Sequence, residues 1–139
     1  MYLAILGIKA DMESLKKSWC GWEIPSYMKY EEQPWGWFTT LSSGSDYKVK
    51  EIYVNPNSRF SLQYHNQRTE NWTIVQGSGI VTIDGFSDDV KPGDSFYIPV
   101  RGVHRVKAGE DGILFIEVQR GKCLPDDIIR LEDDYGRVV

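Results

Sequence analysis

The stretch Ser61-Leu62-Gln63-Tyr64-His65-Asn66-Gln67-Arg68-Thr69-Glu70-Asn71-Trp72 reads as two strand-like runs joined by a polar turn, with chemistry-bearing residues on both runs. Gln63 and His65 are two apart on the first run, so on a strand their side chains point to one face. Glu70 opens the second run, and a hairpin returns it alongside the first. An amide, an imidazole and a carboxylate then converge on one volume. The chain has only two histidines. The second, His104, begins a later run after Pro99-Val100-Arg101-Gly102-Val103, where a closed barrel brings it opposite the others. Gln63, His65, Glu70 and His104 are therefore the expected ligands of a divalent metal.

Working outward, runs rich in β-branched and aromatic residues recur from Tyr47 onward and predict strands over 49–54, 59–64, 72–76, 79–83, 95–98, 104–107 and 113–118. Asn55-Pro56-Asn57, Gln76-Gly77, Asp84-Gly85, Pro92-Gly93-Asp94 and Glu110-Asp111-Gly112 separate them as turns. That spacing predicts an all-β sandwich or closed barrel over residues 46–139. Residues 1–45 read differently. A cap at Asp11 predicts a short helix over 11–19, and Gly21, Pro25 and Pro34-Trp35-Gly36-Trp37 break anything longer. This part is expected to be an extension laid over the barrel, packed through Trp19, Trp22, Trp35 and Trp37.

The whole chain of 139 residues fits one ordinary domain. Sixteen Lys and Arg against twenty Asp and Glu leave a net charge of −4, which offers a polyanion no general attraction. Nucleic acid is not an expected partner. Leu3–Ile8 is a short apolar piece without a basic run before it, so no secretory signal is expected, and no run reaches the ~18 apolar residues a membrane helix needs. Cys20 and Cys123 lack a CxxC partner, which suits two reduced thiols in a cytoplasmic protein.

Gln63-x-His65-x(4)-Glu70-x(6)-Gly77 resembles the first cupin motif with Gln in place of its first His, and Gly93-x(5)-Pro99-x(4)-His104 resembles the second. Further blocks, among them Pro34-Trp35-Gly36, Tyr47-Lys48-Val49-Lys50, Tyr97-Ile98-Pro99, Ile116-Glu117-Val118-Gln119-Arg120-Gly121 and the tail from Asp126 to Arg137, are similar to the isomerase domain of type II mannose-6-phosphate isomerases. The resemblance implies a cupin barrel, a double-stranded β-helix of the jelly-roll kind. It departs from that family's pattern at Asn66, Gln67 and Asn71, where histidines are usual, and at Arg101-Gly102, where the usual glycine is displaced. The family's domain is often fused to a nucleotidyltransferase; this sequence has no Gly-rich nucleotide loop, so guanylyltransferase activity is not expected.

The implied reaction interconverts mannose 6-phosphate and fructose 6-phosphate, moving a proton between adjacent carbons through an enediolate. A divalent metal suits it as a Lewis acid, and the mixed oxygen and nitrogen ligands admit Zn, Mn, Fe, Co or Ni. The phosphate of a phosphosugar substrate needs cations, for which Arg68, Arg130 and Arg137 are candidates because guanidinium binds phosphate in a bidentate way. Arg130 and Arg137 have a competing partner in the acidic run Glu132-Asp133-Asp134. Lys50 is a candidate polariser or proton carrier, and Lys50, Arg68 and Arg130 form the expected catalytic group. Two further readings stay open, a non-catalytic cupin that binds metal or sugar and a cupin enzyme of other chemistry. A homodimer is expected from the exposed strand edges of small barrels.

Overall fold

The computed structural model describes residues 29–138. The helix expected over 11–19, together with Trp19, Cys20 and Trp22, lies outside the described residues. The strands are β1 (Lys29–Gln33), β2 (Gly36–Ser43), β3 (Tyr47–Val54), β4 (Leu62–Tyr64), β5 (Arg68–Ile83), β6 (Phe86–Val90), β7 (Ser95–Ile98), β8 (His104–Gly121) and β9 (Ile129–Glu132). The expected all-β class is what the chain adopts. Among the described residues no helix is long and apolar enough to cross a membrane.

Two long strands organise the rest. β5 and β8 pair antiparallel from Arg68↔Gly121 to Ile83↔His104. One half of this ribbon is flanked by β7 on β5 and by β3, β2 and β1 on β8; the other half is flanked by β6 on β5 and by β4 and β9 on β8. The result is two half-sheets that share their central pair and curl toward each other, as in a jelly roll.

The sequence expected four short strands where β5 and β8 run through. Gln76-Gly77 and Glu110-Asp111-Gly112 bend these strands instead of ending them, with register shifts at Ile74/Gln76 and Gly77/Gly79. The bend needs glycine. Gly77 and Gly112 sit at φ 89° and 74°, and a side chain at Gly77 would run into the Gly112 carbonyl. A second difference concerns 29–43, read as part of an extension over the barrel. These residues supply β1 and β2, paired edge to edge with β3. Trp35 joins the core, whereas Trp37 packs with Tyr53 and Leu114 in a separate cluster. The expected strand over 59–64 shortens to Leu62–Tyr64, with Arg59 forming only an isolated bridge to Lys107.

Inward-facing rows cross the first half-sheet in register, and their polarity changes along the barrel. Nearest the bend is Phe38–Ile52–Phe115–Ile74, all apolar. Next comes Thr40–Lys50–Glu117–Trp72, and then Lys48–Gln119–Glu70–Ile98. Each fully buried aliphatic or aromatic side chain in the first row stabilises the fold by about 1.5–3 kcal/mol. In the next two rows only Trp72 and Ile98 contribute in that way, and the polar members mark the end of the barrel where chemistry is placed.

Candidate metal centre

The four expected ligands come from three places in the chain. Gln63 lies on β4, directly paired with His104, the first residue of β8. His65 follows β4 in the turn to β5, and Glu70 points inward from β5 in the row next to Trp72. His65, Glu70 and His104 are all buried, and one ligand atom from each lies within 4.8 Å of the others. His104 Nε2 stands 3.1 Å from Glu70 Oε1, and His65 Nε2 stands 3.5 Å from the same oxygen.

The ring orientations follow from the backbone. His65 Nδ1 faces the Asp127 carbonyl at 2.7 Å, and His104 Nδ1 faces the Gly102 carbonyl at 2.9 Å. A carbonyl only accepts, so each Nδ1 carries the proton and each Nε2 lone pair is turned into the barrel. Burial holds the His65 ring down at about 4 against the pull of Glu70, so it is neutral at pH 7. Burial raises the Glu70 carboxyl, but the groups facing it outweigh that and bring it well below the ordinary carboxylate range, so it is ionised.

The donor set fits a cation. Gln63 Oε1, both Glu70 carboxylate oxygens and His104 Nε2 are buried without a hydrogen-bond partner. Buried polar atoms are seldom left so, and four at one point are what a metal ion satisfies. This His-Glu-His cluster is able to hold a metal ion.

Around it lies a cavity of about 290 Å³. Arg68 reaches the ligands themselves, its Nη2 lying 3.2 Å from His65 Nε2 and 3.6 Å from Glu70 Oε2. Lys50 faces the same cavity, with Nζ 4.0 Å over the Phe38 ring, and burial lowers its pKa from the usual lysine value. Arg130 also lines the cavity, and its Nε is buried with no partner.

The acidic run is shared out among other arginines. Arg105 takes Glu132 at 3.1 Å, Arg59 takes Asp134 at 2.7 Å, and Arg137 takes Asp133 through two bonds of 2.8 and 3.0 Å. Arg137 therefore lines the cavity with its guanidinium already engaged, and Arg130 is the candidate left without a carboxylate among the described residues. The Arg137 bonds hold Asp133 down at about 2 from an ordinary 3.8. A depressed acid stabilises the fold above its unfolded value and loses that contribution as pH falls through its folded one. Asp133→Asn is expected to lower unfolding stability by roughly 1.5–3 kcal/mol at pH 7. The gap between parent and variant in urea denaturation should shrink between pH 4 and pH 2, and a gap independent of pH would show that the pair is inert.

Glu117 and Gln119 were not expected in the site. Trp72 donates Nε1 to Glu117 at 3.1 Å and Gln119 donates Nε2 to it at 2.6 Å. Burial, with the charge of Glu70 nearby, pushes the Glu117 carboxyl up to about 8. The signal lies in the period: Phe115 and Glu117 share one face of the strand predicted over 113–118 and Gln119 continues it just beyond, so a buried phenylalanine places the carboxyl inside as well.

Residues 26–133 match the family described as mannose-6-phosphate isomerase C-terminal. The alginate biosynthesis protein AlgA of Pseudomonas aeruginosa is 43% identical over 107 residues, covering 76% of this chain and 22% of that protein. A mannose-1-phosphate guanylyltransferase of Escherichia coli is 39% identical over 108 residues, 76% of this chain and 23% of that protein. The xanthan biosynthesis protein XanB of Xanthomonas campestris pv. campestris is 36% identical over 132 residues, 94% of this chain and 27% of that protein. The chain thus spans about a quarter of the length of such relatives. Among solved structures, an RmlC-like cupin from Shewanella frigidimarina superposes with a TM-score of 0.65 at 18% identity, covering 77% of this chain and 94% of that one. KdgF from Halomonas sp. superposes at 0.64 with 19% identity, covering 71% and 93%. At such identities the likeness speaks for the fold, which is that of a cupin.

Proposed function

The chain belongs to the mannose-6-phosphate isomerase C-terminal family, and from that premise we propose that it is a metal-dependent aldose–ketose isomerase acting on mannose 6-phosphate and fructose 6-phosphate. The observation that carries the reading is the meeting, in one cavity, of a ligand cluster with unsatisfied atoms and the Arg130 guanidinium without a protein anion. The first suits the sugar's carbonyl end and the second its phosphate.

Gln63, His65, Glu70 and His104 would hold the metal. Once bound, it supplies Lewis-acid stabilisation of negative charge developing on neighbouring oxygens. Arg130 takes the phosphate, and Arg137, tied to Asp133, adds positive potential behind it. Arg68, packed against the ligands, offsets charge at the sugar's reacting end. Lys50 holds the mobile proton at Nζ, and burial, which lowers its pKa from the usual lysine value, eases the release of that proton.

Asn66, Gln67 and Asn71, which depart from the family pattern, keep the alternative of a non-catalytic sugar-binding cupin in view. All three are exposed, and Asn71 lies between the inward-facing Glu70 and Trp72 on β5, so none of them touches the cavity. Their position favours the catalytic reading.

A coupled assay with mannose 6-phosphate decides. Metal-replete protein is expected to turn over and chelated protein to stop. Lys50→Met should lower kcat by about a hundredfold to ten-thousandfold, whereas Arg130→Ala should raise KM by about tenfold to a hundredfold with kcat much less affected. Stoichiometric metal without turnover of either hexose phosphate would sink the isomerase and leave the binding protein.

A further inference from the structure

Asp127 stands between β8 and β9, far in sequence from the metal ligands, yet it makes three contacts with the turn that carries His65. Its Oδ1 accepts the Asn66 amide at 2.9 Å, and its Oδ2 accepts the Gln67 amide at 2.9 Å. Its own carbonyl receives His65 Nδ1 at 2.7 Å. The residue is 8% exposed. Two adjacent amides aimed at one short carboxylate fix the plane of that side chain, and with it the direction of the peptide carbonyl next to it. From the other side, Arg101 donates its backbone amide to the His65 carbonyl at 2.8 Å and its Nη1 to Asn66 Oδ1 at 2.7 Å. The turn is fastened at both flanks.

We propose that Asp127 is a positioning residue of the metal centre: its carboxylate pins the 66–67 peptides so that its carbonyl holds His65 as the Nδ1–H form, Nε2 facing Glu70 and His104. The segment between β8 and β9 is thereby a working part of the site. It also leads into β9, which carries Arg130. The inference rests on the metal role of His65 and is independent of isomerase activity. An asparagine at 127 would offer one acceptor and set an NH2 against an amide N–H, so it keeps the shape and loses half the clamp.

The test uses the full chain labelled with ¹⁵N, where two histidines give two sets of ring signals. In metal-free parent protein both rings should show the Nδ1–H form. Asp127→Ala should leave His104, held by Gly102, unchanged and shift His65 toward a mixture of both ring forms. Zinc affinity, read by competition with a chelator, should fall by about 10–100-fold, as for loss of a group that orients a metal-binding histidine. Should Asp127→Ala not fold, Asp127→Asn decides, with the same change in smaller measure. An unchanged His65 ring form, or zinc affinity within twofold of the parent, overturns the proposal. A parent that binds no zinc refutes the metal reading itself, separately from a ring form that Asp127 fixes.

Discussion

Glu70→Gln is expected to lower metal affinity by a factor on the order of a hundred or more, since even the loss of an orienting neighbour costs about 10–100-fold. Glu70 is the one anion among the four ligands, and it is 1% exposed. Without its charge the site would hold a dication on neutral donors alone, in a low dielectric that magnifies the loss. The metal-free protein should lose something different. Glu70 is ionised there, and Arg68 Nη2 lies 3.6 Å from its Oε2. An amide of equal size leaves that buried guanidinium without its partner, so metal-free stability should fall by roughly 3–5 kcal/mol. Calorimetric unfolding with and without chelator separates the two effects: the chelated Tm should drop, and the rise in Tm on adding zinc should vanish. Retention of that rise would remove Glu70 from the ligand set, and turnover with mannose 6-phosphate should follow the metal.

The second large effect is on folding. Gly77→Ala is expected to cost roughly 3–5 kcal/mol, combining a left-handed backbone for a non-glycine residue with a steric conflict that cannot relax. The conflict is with backbone, the carbonyl of Gly112 on the paired strand, and Gly112 is itself hemmed in by the Tyr53 ring. Gly85 is the natural control. Its φ of 85° is close to the 89° of Gly77, but a side chain there would meet nothing within 4 Å. Gly85→Ala should therefore cost only about 1 kcal/mol, the conformational part alone. Urea denaturation of the two variants tests the contrast. Equal losses would mean that the bend between the half-sheets has slack.

The site was more legible than the strand plan, for a physical reason. Gln63, His65 and Glu70 are close in sequence, which made their convergence readable, but not through the expected hairpin: β4 pairs with β8 and β9 rather than with β5, and the turn carrying His65 crosses from one half-sheet to the other. His104 needed the closure of the barrel, which its place at the start of a strand made readable. The continuity of β5 and β8 was not readable, because Gly77 and Gly112 look the same whether a strand ends or bends there; which occurs depends on partners on both sides. The arginines were ambiguous for a similar reason. Glu132, Asp133 and Asp134 are adjacent, but Arg105, Arg137 and Arg59 reach them from different directions, and only that sorting leaves Arg130 over. Asp127 was invisible because it acts on backbone amides, which every sequence possesses. Glu117 is hidden for another reason: a glutamate on a predicted strand reads as solvent-facing until its neighbours are known to be buried.

The shared central ribbon has a kinetic meaning as well. Pairing Arg68 with Gly121 closes a long stretch of chain, and neither half-sheet has an interior until both strands are in register. Folding must meet that loop-closing entropy before most of the core rewards it, which places the protein among slow, non-local folders. The candidate ligands are divided between β4, the turn after it, β5 and β8, so the site itself is assembled only once both half-sheets are in place.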